Sequence, residues 1–551
     1  MLRSALSVRS LLRRRLWWLA ILFGLWGGLC AAQTRPDSGD SLATRVDALI
    51  DARHKGPVAP PADDADFLRR VYLDFTGRIP TASETRSFLD DPSSEKRNAL
   101  IDQLLDSSDY PRRMSDVVHV MLMERLGDHE EWRRFLRISF EQNRPWNEVV
   151  RIILFPDPQD DQTRGSAFFF TKRLEKYGQN PVDLPGLTRD VGRLFLGVDL
   201  QCAQCHDHLF VDDYTQADYQ GLYAFLAHTT IRRDTDFPAI AENLVTGRTE
   251  FMSVFTQEPN ATGPRLPGGE EVEVLTFEPG DEYVQPPDRN TKFPGTPKFS
   301  PLAILSAQLP AAENPAFRRN SVNRFWFLLM GRGLVEPLDL HHSANPPSHP
   351  ELLDLLADEF AAHEFNVKWF LGQLARTKVY QRSSRMPGAD VIPADRYQVA
   401  IERPLSAEQL LRGMLIATQH DAPPPSDEPH DEGPDPFAEE LEAFQAAFAA
   451  VPREPELQFA PSVKAALFLL NNPLVLNWLE DQPGSLVATA TARDDAQVAE
   501  LVYLSVLSRE PTVEERQEVI DLMKEAGHAR ARTIGSLVWA LLASTEFCLN
   551  H

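Results

Sequence analysis

The chain has 551 residues, a formal net charge of −24 and only four cysteines. So acidic a chain offers no surface for the phosphate backbone of DNA or RNA, nor for an anionic membrane face. With 43% hydrophobic residues it can fill two to four complete cores, and nothing in it requires disulfides to fold.

The opening "MLRSALSVRSLLRRRLWWLAILFGLWGGLCAAQ" places Arg3, Arg9, Arg13, Arg14 and Arg15 before the apolar run Leu16 to Leu29. Small residues follow at Ala31 and Ala32. This is the layout of a secretory signal peptide over residues 1–32, too short for a membrane span. Its removal takes away five arginines and no acid, moving the net charge from −24 to −29. The expected location is periplasmic or otherwise exported, with no integral membrane domain beyond the signal segment.

Residues 33–62 read as a polar, proline-bearing linker. The first helical block is expected over residues 63–230. Phe67, Leu68, Val71 and Phe75 share one helical stripe, closed by Gly77 and Pro80. Thr81 with Glu84 forms a capping box for the next helix. Asp74 and Arg78 read as an ion pair bracing the turn. Two more amphipathic helices follow, then a pair split near Asn143 to Pro145. Near the end of the block, "QCAQCHDHLF" sits in a turn between a short helical stretch and a helix expected from Gln216 to Ala227. There a covalently held cofactor would be covered from both sides.

Residues 231–300 change character. "RTEFMSVFT" and "EEVEVLTFEPG" alternate like strands among many Gly and Pro residues, so a small β-like insertion or extended loop is expected. Residues 301–551 read as a second helical domain. "NSVNRFWFLLMGRGLVEP" is an apolar helix ended by glycines, and "HHSANPPSHPE" a rigid loop on the domain face. Ser348 with Glu351, Ser406 with Gln409, and Thr512 with Glu515 read as helix starts. Residues 421–440 hold eight acids, several prolines and no Lys or Arg, which reads as a solvated loop. The fold class expected is mainly α, as two helical domains joined by a cysteine-motif centre and the β-like insertion.

The chemistry concentrates at Cys202, Cys205 and His206, which spell C-x-x-C-H. Thiols at i and i+3 can each bond a haem vinyl carbon, and the next residue is placed to ligate the iron. The same residues fit other chemistry. With His208 they supply the S and N ligands that zinc or another soft metal prefers, with at least one ligand drawn from afar. A redox or a structural Cys202–Cys205 disulfide is the remaining reading. For a second metal ligand His228 stands first, being nearest beyond the motif; His119, Met121, Met123, Met330, His341, His342 and His349 are the other candidates. Asp212, Asp213 and Asp218 beside the motif read as a divalent-ion site or a hydrated loop. Hydrolase and nucleotide motifs are absent from the sequence.

The pieces "FLRRVYLDFTGRIPTASE", "KRNALIDQLLDSSDY" and "LGVDLQCAQCHDHLF" resemble the planctomycete cytochrome-like domain of unknown function, over about Ile50 to Ala227. "NRFWFLLMGRGLVEPLDLHHSANPPSHPELLDLLADEF", "LARTKVYQRSS", "ALFLLNNP" and "LVYLSVLSREPTVEER" resemble the companion domain that usually accompanies it. The resemblance implies an exported bacterial protein whose Cys202, Cys205 and His206 fall on the cytochrome-like motif. It implies as partner a second exported protein of sulfatase-like fold, and no established reaction. Three functions compete. One is an exported monohaem c-type electron-transfer or redox-accessory protein with haem c and a redox partner. The others are a redox or metal-dependent enzyme of unknown substrate, and a non-enzymatic surface or assembly protein with an oxidised cysteine pair.

Overall fold

The computed structural model describes residues 40–53, 56–176, 182–386, 392–421, 435–453 and 463–551. The signal-peptide reading, most of the acidic stretch and the start of the expected linker fall outside these residues. The described chain is mainly helical.

A helix forms inside the expected linker: α1, Leu42–Arg53. Val46 and Ile50, one turn apart, are fully buried, and Arg45 pairs with Glu359 at 2.7 Å. The stripe Leu42, Val46, Ile50 carried this signal, and Asp47 anchors the helix by accepting from the backbone N–H groups of Lys378 and Val379.

The helix α2, Asp64–Thr76, buries Phe67, Leu68, Val71 and Phe75 completely and ends at Gly77 in the left-handed region. Its continuation is α3 (Ala82–Asp90), α4 (Lys96–Leu105), α5 (Asp109–Met123), α6 (Glu130–Glu141), α7 (Trp146–Leu154), α8 (Phe168–Arg173) and α9 (Leu184–Val191). The capping box of Thr81 and Glu84 is present, with both reciprocal bonds. The brace at the α2–α3 turn differs from expectation. Arg78 pairs with Glu84 and Asp109, whereas Asp74 faces inward to Arg403, Tyr380 and Asn550. Arg78 is taken by carboxylates of the next helices, while Asp74 is drawn to partners more than three hundred residues away.

A π-helical turn over Gly192–Leu196 leads to the motif, and α10 (Gln216–Leu226) follows it. The insertion forms three small antiparallel ladders: β1 (Thr229–Ile231) with β2 (Ile240–Glu242), β3 (Thr249–Met252) with β4 (Pro259–Thr262), and β5 (Tyr283–Gln285) with β6 (Thr296–Pro297). "RTEFMSVFT" thus supplies a strand, but "EEVEVLTFEPG" does not. Its Val272, Val274 and Phe277 are half-buried while the residues between them are exposed, and no strand pairs with the run.

The remaining elements are α11 (Pro301–Gln308), α12 (Pro315–Met330), α13 (Pro350–Ala362), α14 (Val367–Ala375), β7 (Arg403–Pro404), α15 (Ala407–Thr418), α16 (Ala438–Phe448), α17 (Val463–Asn471), α18 (Pro473–Asn477), α19 (Leu486–Thr491), α20 (Asp495–Val506), α21 (Val513–Ala526), α22 (Arg530–Leu542), α23 (Thr545–Cys548) and β8 (Leu549–Asn550). The capping boxes of α15 and α21 form as their sequences predict. Ser348 does not cap α13: Pro350 takes the first helical position and His349 the cap, with no side-chain bond to the helix's own N–H groups. The acidic stretch ends in helix, since α16 begins at Ala438.

The buried side chains gather into two clusters. One takes residues from α1 to α10 together with α11 to α14, so it spans both sides of the insertion. The other takes α15 to α23 and, from α2 and its turn, Leu73 and Ile79. α2 is therefore the shared wall. Its Arg69 donates to the carbonyl of Phe547 at 2.7 Å and Arg70 to those of Arg382 and His551, while Arg403, beside β8, reaches back to Asp74. The buried guanidiniums of Arg69 and Arg70 thus find carbonyl acceptors, and that of Arg403 a carboxylate.

Candidate functional site

The motif lies on a short 3₁₀ turn, Cys202–Gln204, whose Cys205 N–H closes onto the Cys202 carbonyl at 3.3 Å. Ala203 is buried and pins the turn to the core. Gln204, between the cysteines, is held from both ends. Arg189 of α9 donates to its side-chain oxygen at 2.6 Å, and Gln216 and Gln220 of α10 donate to its carbonyl at 3.5 and 3.2 Å. Asp207 accepts from the Gln216 N–H at the start of α10. The turn is thus fixed by the helices before and after it.

The cysteines themselves point outward. Cys202 and Cys205 carry free thiols and are exposed, so the expected cover from both flanking helices is not there. Those helices grip Gln204 by its side chain and its carbonyl and leave the thiols at the surface. The disulfide of the alternative reading is not formed. His206 is half-buried. Its Nδ1 lies 2.7 Å from the Asp207 carbonyl, and its ring packs on Phe255 with centroids 4.6 Å apart. An Nδ1–H held by a carbonyl fixes the tautomer and leaves Nε2 as the ligating nitrogen.

Phe255 comes from the tip of the β3–β4 hairpin, whose Val254 N–H donates to the Cys205 carbonyl at 3.1 Å. Opposite in sequence, the loop after the motif carries Leu209 and Phe210, 64% and 85% exposed. Met252, Val254 and Phe255 are also exposed. Two apolar tips therefore adjoin two free thiols, where ordinary surface would be polar.

A third element closes the base. In the loop after α12, the His341 N–H donates to the Gly197 carbonyl at 2.9 Å, and Tyr214 donates from its hydroxyl to the His341 carbonyl at 3.1 Å. The Ser343 N–H donates to Asp213. The His342 ring packs edge-on to Tyr214 at 5.3 Å, and Tyr214 in turn meets His208 at 6.1 Å. Burial first, then the Arg324 charge, pushes His341 down to about 4; burial also lowers His342, against the pull of Asp213. Both imidazoles are neutral at pH 7.

The other candidates are placed elsewhere. His228 is half-buried after α10, with burial lowering its pKa, and its carbonyl accepts from Asn243. His119 is buried, accepts from the Trp132 indole at 3.0 Å and is pushed by burial down to about 3. Met123 and Met330 are core residues and Met121 packs against the same core. His349 packs against Tyr397. Asp218 is paired with Arg265 rather than left for an ion. Among the described residues no three His, Cys, Asp or Glu side chains converge into a metal-holding group, so the cysteine pair, His206 and His228 do not form one. No helix among them is long and apolar enough to cross a membrane. The clamp on Gln204, the Phe255 contact and the His341–Ser343 loop escape sequence reading, because their residues lie far from the motif along the chain.

Residues 45–231 match the model of a protein family of unknown function, DUF1549, named PSCyt2. Residues 303–440 match a second, DUF1553, named PSD1. No curated protein and no solved structure matches the chain. The motif turn and α10 fall within the first matched stretch and the His341–Ser343 loop within the second, so the site is built from both. The chain thus carries one stretch similar to the PSCyt2 family and one similar to the PSD1 family, both of unknown function.

Proposed function

We propose that the protein is an exported monohaem c-type electron-transfer or redox-accessory protein. The observation that carries the reading is the donor set: two free, exposed thiols on one braced turn, followed by a histidine whose Nδ1 is held by a carbonyl. In this reading Cys202 and Cys205 tether the haem and His206 is an iron ligand. The two thiols would hold the group through thioether bonds, and the imidazole would be available to its iron. When bound, the haem supplies one-electron transfer.

The chain's own residues do the rest. The clamp from Arg189, Gln216 and Gln220 holds the turn in one conformation before attachment. The Asp207 carbonyl orients His206. Phe255 offers an aromatic face beside the imidazole, and the exposed Met252 and Val254 of its hairpin offer surface that a porphyrin would take out of water.

Co-expression with haem-attachment machinery, followed by a denaturing gel stained for haem peroxidase activity, tests the reading. Wild type retains stain through denaturation, Cys202→Ala with Cys205→Ala loses it, and His206→Ala alters the visible spectrum. Unstained wild type made beside a stained control cytochrome refutes it.

A further inference from the structure

The Leu209–Phe210 tip is left over once the site's own contacts are assigned. Phe255 is engaged with His206. Phe210 touches only the edge of His208, at 6.5 Å between ring centroids, and stays 85% exposed. The backbone holds the tip out: His208 N–H donates to the Tyr214 carbonyl at 2.9 Å, closing the loop at its base, and Tyr214 is itself buried and bonded to the His341 loop. A large aromatic side chain is thus presented from a braced loop rather than from a loose end.

Charge around the tip has one sign. The two segments that form the site, residues 199–218 and 249–264, carry seven Asp and Glu and no Lys or Arg. Asp207, Asp212 and Asp213 flank the tip directly, and Glu250 and Glu258 are exposed on the neighbouring hairpin. The nearby cations are already engaged: Arg189 on Gln204 and Arg265 on Asp218.

We propose that the Leu209–Phe210 tip is the docking contact for a redox partner protein whose face presents an apolar pocket ringed by Lys or Arg. A central aromatic anchor with a charged rim is the anatomy of a protein interface, the rim steering encounter and the anchor setting the dissociation rate. The redox character of the partner rests on the haem reading; the apolar and cationic character does not.

The test immobilises a lysine-ringed soluble cytochrome c and measures binding of the full-length protein by surface plasmon resonance across a salt series, for haem-loaded and haem-free preparations. Wild type should bind, and weaken as salt rises. Phe210→Ser, and separately Asp212→Asn with Glu250→Gln and Glu258→Gln, should each weaken binding at least about tenfold. Neutralising Glu514, Glu518 and Glu525 on α21, which are exposed and remote, should change it less than about twofold. No binding by wild type, equal loss from the two triple variants, or an unchanged Phe210→Ser overturns the proposal. Circular dichroism of each variant separates lost binding from lost fold. Tip-dependent binding by a protein that takes up no haem beside a stained control cytochrome upholds the docking surface and removes only the redox reading.

Discussion

Gly197→Ala should be far more damaging than its size implies. Gly197 sits in the left-handed region at φ +72, at the turn between the π-helical segment and the motif. A Cβ there would lie 2.6 Å from Cδ2 of His341 and 2.9 Å from the side-chain oxygen of Asn320. Left-handed backbone costs an alanine about 1–2 kcal/mol. Forcing an added carbon into packed neighbours costs about 1–3 kcal/mol more. The lower entropy of the unfolded alanine chain offsets about 0.4–1 kcal/mol. The net loss is therefore about 1–4.6 kcal/mol, and it falls on the contact that ties the His341–Ser343 loop to the motif. Two internal comparisons make the value decisive. Gly484 has φ +89 with nothing within 4 Å of a Cβ, so its alanine variant meets the backbone strain alone. Gly247 is open and free of that strain, so its alanine variant should gain about 0.4–1 kcal/mol. Equilibrium urea unfolding of the three variants gives the differences from midpoints at constant slope. Gly197→Ala within about 1 kcal/mol of Gly484→Ala would refute the close packing of His341 on this turn.

Other outcomes follow from buried polar contacts. Asp74→Ala leaves Arg403, Tyr380 and Asn550 without their shared acceptor at the wall between the two cores, and should cost about 3–5 kcal/mol in the same unfolding assay. Arg189→Met removes the donor to Gln204; it should lower the fraction of protein that acquires haem while shifting stability by about 0.5–1.5 kcal/mol only. Glu408 is buried, yet the bidentate Arg125 and the Gln445 amide overcome desolvation and hold its pKa well below the ordinary 4.5. Its stabilisation is complete above 4.5 and is lost as pH falls through the lowered folded value. Glu408→Gln should therefore flatten the acid limb of a stability–pH profile, and an unchanged limb would contradict the pair. Glu242 has the opposite sign: burial without a cation raises its pKa, so its contribution fades as pH rises above 4.5.

What the sequence discloses here depends on distance along the chain. The capping boxes at Thr81, Ser406 and Thr512 are set by residues three apart, and they form as read. The α2 stripe is equally local. Ser348 misleads because Pro350 fixes the first helical position one residue later than the Ser348–Glu351 pattern implies. Asp74 misleads because its partners lie more than three hundred residues away, at Tyr380, Arg403 and Asn550. The alternating run near Val272 has strand composition but no neighbour to pair with, and strand formation is a tertiary event. α1 was legible in principle, since Val46 and Ile50 are spaced one turn apart in a polar setting. Of the site, the C-x-x-C-H was fully legible. Its exposure, the hold on Gln204, and the seat made by Phe255 and the His341 loop depend on segments that meet only after folding.

The most direct measurement is the pyridine haemochrome spectrum of denatured, extracted protein matured with haem-attachment machinery. The account predicts a c-type α-band at one haem per chain, which survives acid–acetone extraction and disappears in the Cys202→Ala, Cys205→Ala variant. A colourless wild-type protein, or colour fully removed by extraction, would contradict it.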